Sequence, residues 1–219
     1  MLESQALALA FVHCSEALLV VDKPSGLPAV PGRGAHLQDC VASRVQAEYA
    51  DALVVHRLDM ATSGLMLMAR GPAAQRALND AFARRAVDKR YVAVVCGLLP
   101  SPAGDPWGEI DLPLAADWPA RPRQRVDVHG GKPSLTRYRV LGHDLPNDCS
   151  RVELQPLTGR SHQLRVHLLA IGHPIVGDAL YDPPHLQTPS ARLLLHASAL
   201  ALAHPFSGER MTFCSAAPF

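Results

Sequence analysis

The chain has 219 residues, 48% of them hydrophobic and 19% charged, with a formal net charge of +1. This composition excludes a disordered segment and a polycation, and any anionic partner has to be met by a local basic patch. The length suits one large domain or two small ones and can bury a sizeable core. Cys14, Cys40, Cys96, Cys149 and Cys214 lie far apart with no CxxC, which argues against a disulfide framework and a thiolate zinc site and fits a reducing cytosol. The apolar stretch 7–12 follows Glu3 without a basic start and is a poor signal peptide. The longest apolar run, 193–203, is interrupted by His196 and Ser198 and falls short of the ~18 residues of a membrane span. The reading is a soluble, unprocessed, cytoplasmic protein with no membrane partner.

In chain order, the apolar run 17–21 ends at Lys23-Pro24-Ser25-Gly26 and predicts a strand entering a turn. From His36 to Tyr49, residues Leu37, Val41 and Val45 stand four apart, a helical stripe. Residues 53–55 and 65–69 are strand-like and flank the polar stretch 56–64. Pro72 suits a first helical turn, and Ala74, Leu78 and Phe82 share a face, which predicts a helix over 72–86. Residues 91–95 predict a strand, with Tyr91 directly after Lys89-Arg90. The Pro- and Gly-rich middle, 100–133, predicts hairpins and an exposed basic loop. Residues 134–141 and 151–154 predict strands. Thr158-Gly159-Arg160-Ser161 then opens a helix through Ile171, with Ser161 as its N-cap. Residues 193–202 and 210–213 predict a closing hairpin. Strands outnumber helices and mostly neighbour one another, so the expected fold class is α+β with a largely antiparallel sheet.

Two stretches stand out chemically. The triplet His56-Arg57-x-Asp59 sits between two apolar strands, at the rim of a core, where functional loops concentrate. In the predicted helix, His162 and Arg165 share a face next to the apolar face of Leu164, Leu168 and Ile171, and a helix start offers N–H groups to an anion. Taken alone, the first reads as a surface turn with a local ion pair and the second as an amphipathic helix with solvated Arg and His. Arg84, Arg85, Lys89 and Arg90 form one basic group, and Arg121, Arg123 and Arg125 another beside Trp118. Such pairing of arginine with aromatics suits RNA backbones and unstacked bases. There is no HExxH, no His/Cys cluster, no GxSxG, no GxGxxG and no P-loop, so neither a metal, a serine hydrolase nor a nucleotide cofactor is expected.

Together the segments are more specific. His56-Arg57-Leu58-Asp59-Met60-Ala61-Thr62-Ser63-Gly64 resembles the HRLDxxTSG signature of the RluA-type pseudouridine synthases. Val21-Asp22-Lys23-Pro24-Ser25-Gly26-Leu27 resembles that family's first motif, and Lys89-Arg90-Tyr91-Val92-Ala93 its tyrosine segment. Thr158-Gly159-Arg160-Ser161-His162-Gln163-Leu164-Arg165-Val166-His167 resembles its arginine motif, and Leu193-Leu194-Leu195-His196-Ala197 its last strand. The likeness runs from about residue 17 to the end of the chain. Residues 117–124 resemble the DWPxRPxQ segment of one branch, whose substrates are a uridine in the anticodon stem-loop of tRNA and one in 23S rRNA. Around residues 100–111 the chain is a few residues longer than that branch, and its N-terminus differs.

The resemblance implies a single pseudouridine synthase domain over 1–219 without an S4 domain. The implied fold is α+β, a mixed, largely antiparallel central sheet with flanking helices and a catalytic cleft. It implies isomerisation of uridine to pseudouridine with no cofactor, by a monomer acting on tRNA and 23S rRNA. Asp59 is the implied catalytic aspartate, Arg165 the cation that keeps it ionised, and Tyr91 the residue that stacks on the base or takes its proton. Arg57 is the implied wedge filling the space left by the flipped base, with Leu194 or Leu195 covering the base. Arg160 and His162 suit phosphate contact, and Arg121 and Arg123 the wider RNA surface. Whether Asp59 attacks sugar or base stays open, as do two alternatives: a catalytically silent RNA-binding protein on this fold, and a synthase for a different rRNA uridine.

Overall fold

The computed structural model describes residues 9–34, 37–102, 104–181 and 190–219. Leu7 and Ala8 of the apolar start, and His36 at the head of the first predicted helix, lie outside the described residues. The chain divides into two compact units, Met1–Val87 with Leu200–Ser215, and Asp88–Ala199 with Ala216–Phe219. The fold is α+β and largely antiparallel, as the sequence predicts.

In the first unit β2 (Leu18–Lys23) lies between β1 (Ala10–Cys14) and β4 (Ser63–Arg70), both antiparallel to it, and β3 (Ala52–Val54) also pairs with β4. β4 is buried along nearly its whole length, which is why its sequence is a continuous apolar run and not an alternating one. Leu18 and Val20 of β2, Leu65 and Leu67 of β4, and Leu200 and Leu202 pack on Ala74 and Leu78 of α2 (Gly71–Ala83). The predicted hairpin near the C-terminus is present, with β12 (Arg210–Cys214) paired to β11 (Leu195–Ala203).

Both helices of this unit are shorter than predicted. α1 (Val41–Glu48) starts at a cap made by Cys40, whose Sγ accepts from the Ser43 N–H at 3.3 Å while Ser43 Oγ takes the Cys40 N–H at 3.0 Å. A cysteine in this role leaves little trace in the sequence. α2 stops at Ala83 because Arg85 takes a left-handed turn with φ 59°, and the Ala86 and Arg85 N–H groups bond back to Ala81 and Phe82.

The second unit carries β5 (Asp88–Cys96), β10 (Cys149–Pro156), β9 (Leu135–Asp144) and β6 (Gly108–Asp111), in that order and antiparallel throughout. α3 (Gln163–Ala170) packs on β9 and β10. The Pro- and Gly-rich middle forms a separate two-stranded hairpin, β7 (Leu114–Ala116) with β8 (Gln124–Val126), whose loop is the basic stretch. β1 and β6 escaped the sequence reading. β1 alternates between exposed and half-buried residues, the weak pattern of a strand with one face in solvent.

Candidate active site

In the first unit the segment 56–62 leaves the sheet where β3 ends, and side chains take over the pairing. His56 Nε2 accepts the Leu67 N–H of β4 at 2.8 Å and its ring lies against Phe82, with centroids 4.9 Å apart. This fixes the entry to the loop. Its far side is fixed by the turn after β2. Lys23 is completely buried, and its Nζ donates to the carbonyls of Pro24 at 2.9 Å, Leu27 at 2.8 Å and Met60 at 2.9 Å. A buried ammonium is tolerated because strong acceptors replace its water. The Gly26 N–H also reaches the Met60 carbonyl at 2.8 Å, and Ser25 Oγ donates to Ala61 at 2.7 Å. Gly26 has φ 88°, a conformation a side chain would strain, so the turn needs glycine there. Asp59 thus stands between buried Leu58 and exposed Met60, whose backbone carbonyl is clamped, and is itself half-buried. Arg57 is exposed.

In the second unit, α3 begins two residues after the predicted N-cap. Ser161 is not the cap; His162 is, in a left-handed conformation with φ 53° and no side-chain cap bond. The loop before it is closed by Gln163. Its Oε1 accepts from Thr158 Oγ1 at 2.8 Å and the Arg160 N–H at 3.0 Å, and its Nε2 donates to Leu135 O and Thr136 Oγ1, each at 3.0 Å. Thr136 in turn bonds His167 Nδ1 at 2.9 Å, and His167 Nε2 bonds the Leu112 carbonyl at 3.0 Å. Burial holds the His167 imidazole below its ordinary range, so the ring is neutral.

Arg165 is buried and forms a bidentate pair with Asp178, Nε to Oδ2 at 2.7 Å and Nη2 to Oδ1 at 2.6 Å. This carboxylate partner was not named from the sequence. Tyr181, on the same turn, has its ring 5.0 Å from the Arg165 Cζ and its hydroxyl 2.7 Å from His162 Nδ1.

Tyr91 is half-buried on β5, opposite Leu154 of β10. Lys89 runs alongside Gly159, where a Cβ would stand 3.9 Å from its Nζ. Leu194 packs on Cys96, Cys149 and Val176, while Leu195, its neighbour in an extended segment, is buried on the opposite side. Of these two alternatives for covering the base, Leu194 is half-buried and Leu195 is buried. Arg160 is exposed, with Nε 3.3 Å from the Pro133 carbonyl.

The basic groups separate in role. Arg84 and Arg85 are exposed, whereas Arg90 is half-buried with its Cζ 4.8 Å from the Trp107 ring, which Arg139 also approaches at 5.0 Å. In the hairpin loop Arg121 stacks over the exposed Trp118 at 3.3 Å, and Arg123 lies 5.3 Å from the Tyr181 ring. Arg125 pairs with Asp127 at 3.2 Å. Among the described residues no group of three or more His, Cys, Asp or Glu side chains could hold a metal ion, and no helix is long and apolar enough to cross a membrane.

Sequence reasoning missed Asp178, Tyr181, Gln163 and the clamping role of Lys23. The Gly177-Asp178 pair was a turn signal in plain view.

Residues 17–170 match the family described as RNA pseudouridylate synthase, and the chain belongs to that family. It is an RNA pseudouridine synthase, an isomerase. The chain is 49% identical to the dual-specificity RNA pseudouridine synthase RluA of Escherichia coli K12, over 96% of this chain and 94% of the relative. Identity to the protein of that name in Haemophilus influenzae is 46% over the same shares. Among solved structures, human RNA pseudouridylate synthase domain containing 1 superposes with a TM-score of 0.78 at 31% identity, over 97% of this chain and 84% of that one. Human RNA pseudouridylate synthase domain containing 4 gives 0.77 at 25%, over 95% and 88%.

Proposed function

We propose that this synthase acts on two RNAs, a uridine in a tRNA anticodon stem-loop and one in 23S rRNA, as a cytoplasmic monomer. The near full-length likeness to synthases named dual-specificity carries this reading. The exposed Trp118–Arg121 stack on the 117–123 loop supports it, because a cationic aromatic platform accepts different RNA sequences.

The chemistry assigned to the site is an isomerisation. The bond from C1′ to N1 of uridine breaks, the base turns, a bond from C1′ to C5 forms, and the C5 proton leaves as N1 gains one. No electrons enter or leave, so no redox partner is needed. Asp59 supplies the carboxylate, aimed by the Lys23 and Gly26 contacts to Met60. Tyr91 stacks on the base and takes the proton, and Arg165 stabilises negative charge. Arg57, on its exposed position, enters the duplex as the uridine flips out. Arg160, His162, Arg121 and Arg123 hold phosphates, and Leu194 or Leu195 borders the base.

The test is single-turnover conversion on a tRNA anticodon stem-loop and on a 23S rRNA fragment, each with one candidate uridine. Pseudouridine in both supports the reading; pseudouridine in one alone contradicts dual use.

A further inference from the structure

The turn 175–181 is built more tightly than a connecting loop requires. Gly177 has φ 76°, and a Cβ there would lie 2.0 Å from the Arg192 carbonyl oxygen, so no other residue fits without moving that backbone. The next residue, Asp178, is 1% exposed. Its Oδ1 accepts the Leu180 N–H at 3.0 Å and the Tyr181 N–H at 3.2 Å, so the carboxylate is locked to its own turn before it meets Arg165. The guanidinium then bonds both oxygens, at 2.6 and 2.7 Å. A planar fork held at two points cannot rotate about its own axis.

Three residues on, the Tyr181 hydroxyl lies at a junction. It accepts the Gln124 N–H of β8 at 2.7 Å and shares a hydrogen bond with His162 Nδ1, also at 2.7 Å. That bond supports the only left-handed residue of the arginine motif, a conformation that costs about 1–3 kcal/mol and needs holding. The Tyr181 ring lies within 5.3 Å of the Arg123 Cζ. One turn thus touches the reactive arginine, the start of its helix and the base of the basic hairpin.

We propose that Asp178 and Tyr181 are the positioning residues of this synthase, Asp178 setting the guanidinium of Arg165 for the chemical step and Tyr181 joining the RNA-gripping hairpin to the arginine helix. This rests on the assignment of Arg165 to the reaction. The division follows from what each touches. Asp178 reaches the RNA only through Arg165. Tyr181 reaches it through His162 and the hairpin, whose job is holding the RNA.

The experiment measures RNA affinity and the single-turnover rate at saturating RNA for Asp178→Asn, Tyr181→Phe, Arg165→Ala and the double variant Asp178→Asn/Arg165→Ala, with thermal unfolding of each. Asp178→Asn should slow the saturated rate about 10–100-fold with little change in affinity. Tyr181→Phe should weaken RNA binding about 5–10-fold, with a smaller effect on the saturated rate. The double variant should be no slower than Arg165→Ala. This comparison holds even if Asp178→Asn alone folds poorly, because removing the arginine leaves no buried cation for the missing carboxylate to balance. A further slowing of the double variant by the full single-variant factor would overturn the positioning role of Asp178. A Tyr181→Phe defect confined to the rate would overturn that of Tyr181. An Arg165→Ala enzyme as fast as wild type would instead remove Arg165 from the reaction, and the proposal with it.

Discussion

Lys23 and Met60 are 37 residues apart in sequence, yet the Lys23 ammonium donates to the Met60 carbonyl at 2.9 Å, one residue past Asp59. The first motif is therefore a clamp on the aspartate loop. Lys23→Met keeps the volume and removes the donor, leaving the carbonyls of Pro24 and Leu27 without it, while the Met60 carbonyl keeps the Gly26 N–H. An unpaired buried acceptor costs about 1–3 kcal/mol. Lys23→Met should therefore lose at least about 2 kcal/mol in denaturant unfolding and turn over more slowly at saturating RNA. Unchanged stability with unchanged rate would show that the clamp is idle.

His167 gives the fold a pH dependence. Its folded value is depressed below 6.5, chiefly by burial, with the Leu112 carbonyl pulling the other way. The unfolded chain then binds a proton that the folded chain does not, so stability is full above the ordinary value and is lost as the pH falls towards the folded one. Thermal unfolding followed from about pH 8 to pH 5 should show a falling Tm below about pH 6.5, with a shallower fall in His167→Gln. Equal slopes in the two proteins would assign the acid sensitivity elsewhere.

Arg57 and Arg165 should fail differently. Arg57 is exposed and Arg165 buried against Asp178. Arg57→Ala should be slow on a structured stem-loop and partly rescued on a weakened loop, where less unstacking is needed. Arg165→Ala should be slow on both. Equal rescue, or none for Arg57→Ala, would show the roles divided wrongly.

The hairpin loop should act through charge. Arg121→Ala removes one guanidinium from the Trp118 stack, so RNA affinity should fall about equally on both substrates, and the slope of log affinity against log salt should drop by about 1. An unchanged slope would remove Arg121 from the phosphate contacts.

The strands around the site were legible because apolar runs such as 17–21 and 65–69 leave few alternatives, and the motifs because they are contiguous. Contacts between distant residues were not. Asp178 meets Arg165 across 13 positions, and no local pattern marks an aspartate whose partner lies on a helix elsewhere. The start of α3 was misplaced for a related reason: Ser161 has the right chemistry for a cap, but the Gln163 amide already closes the loop, and the helix begins after His162. Leu194 and Leu195 look interchangeable in sequence, and only the structure separates the buried Leu195, first residue of β11, from the half-buried Leu194 before it.

The most direct test of the account is Asp59→Asn, a nearly isosteric change that removes the charge and the nucleophile while leaving the clamped backbone in place. Purified Asp59→Asn should unfold at close to the wild-type temperature, bind the anticodon stem-loop with close to wild-type affinity, and form no detectable pseudouridine in a single-turnover assay. Turnover well above background in that variant would contradict the assignment of Asp59 as the catalytic carboxylate.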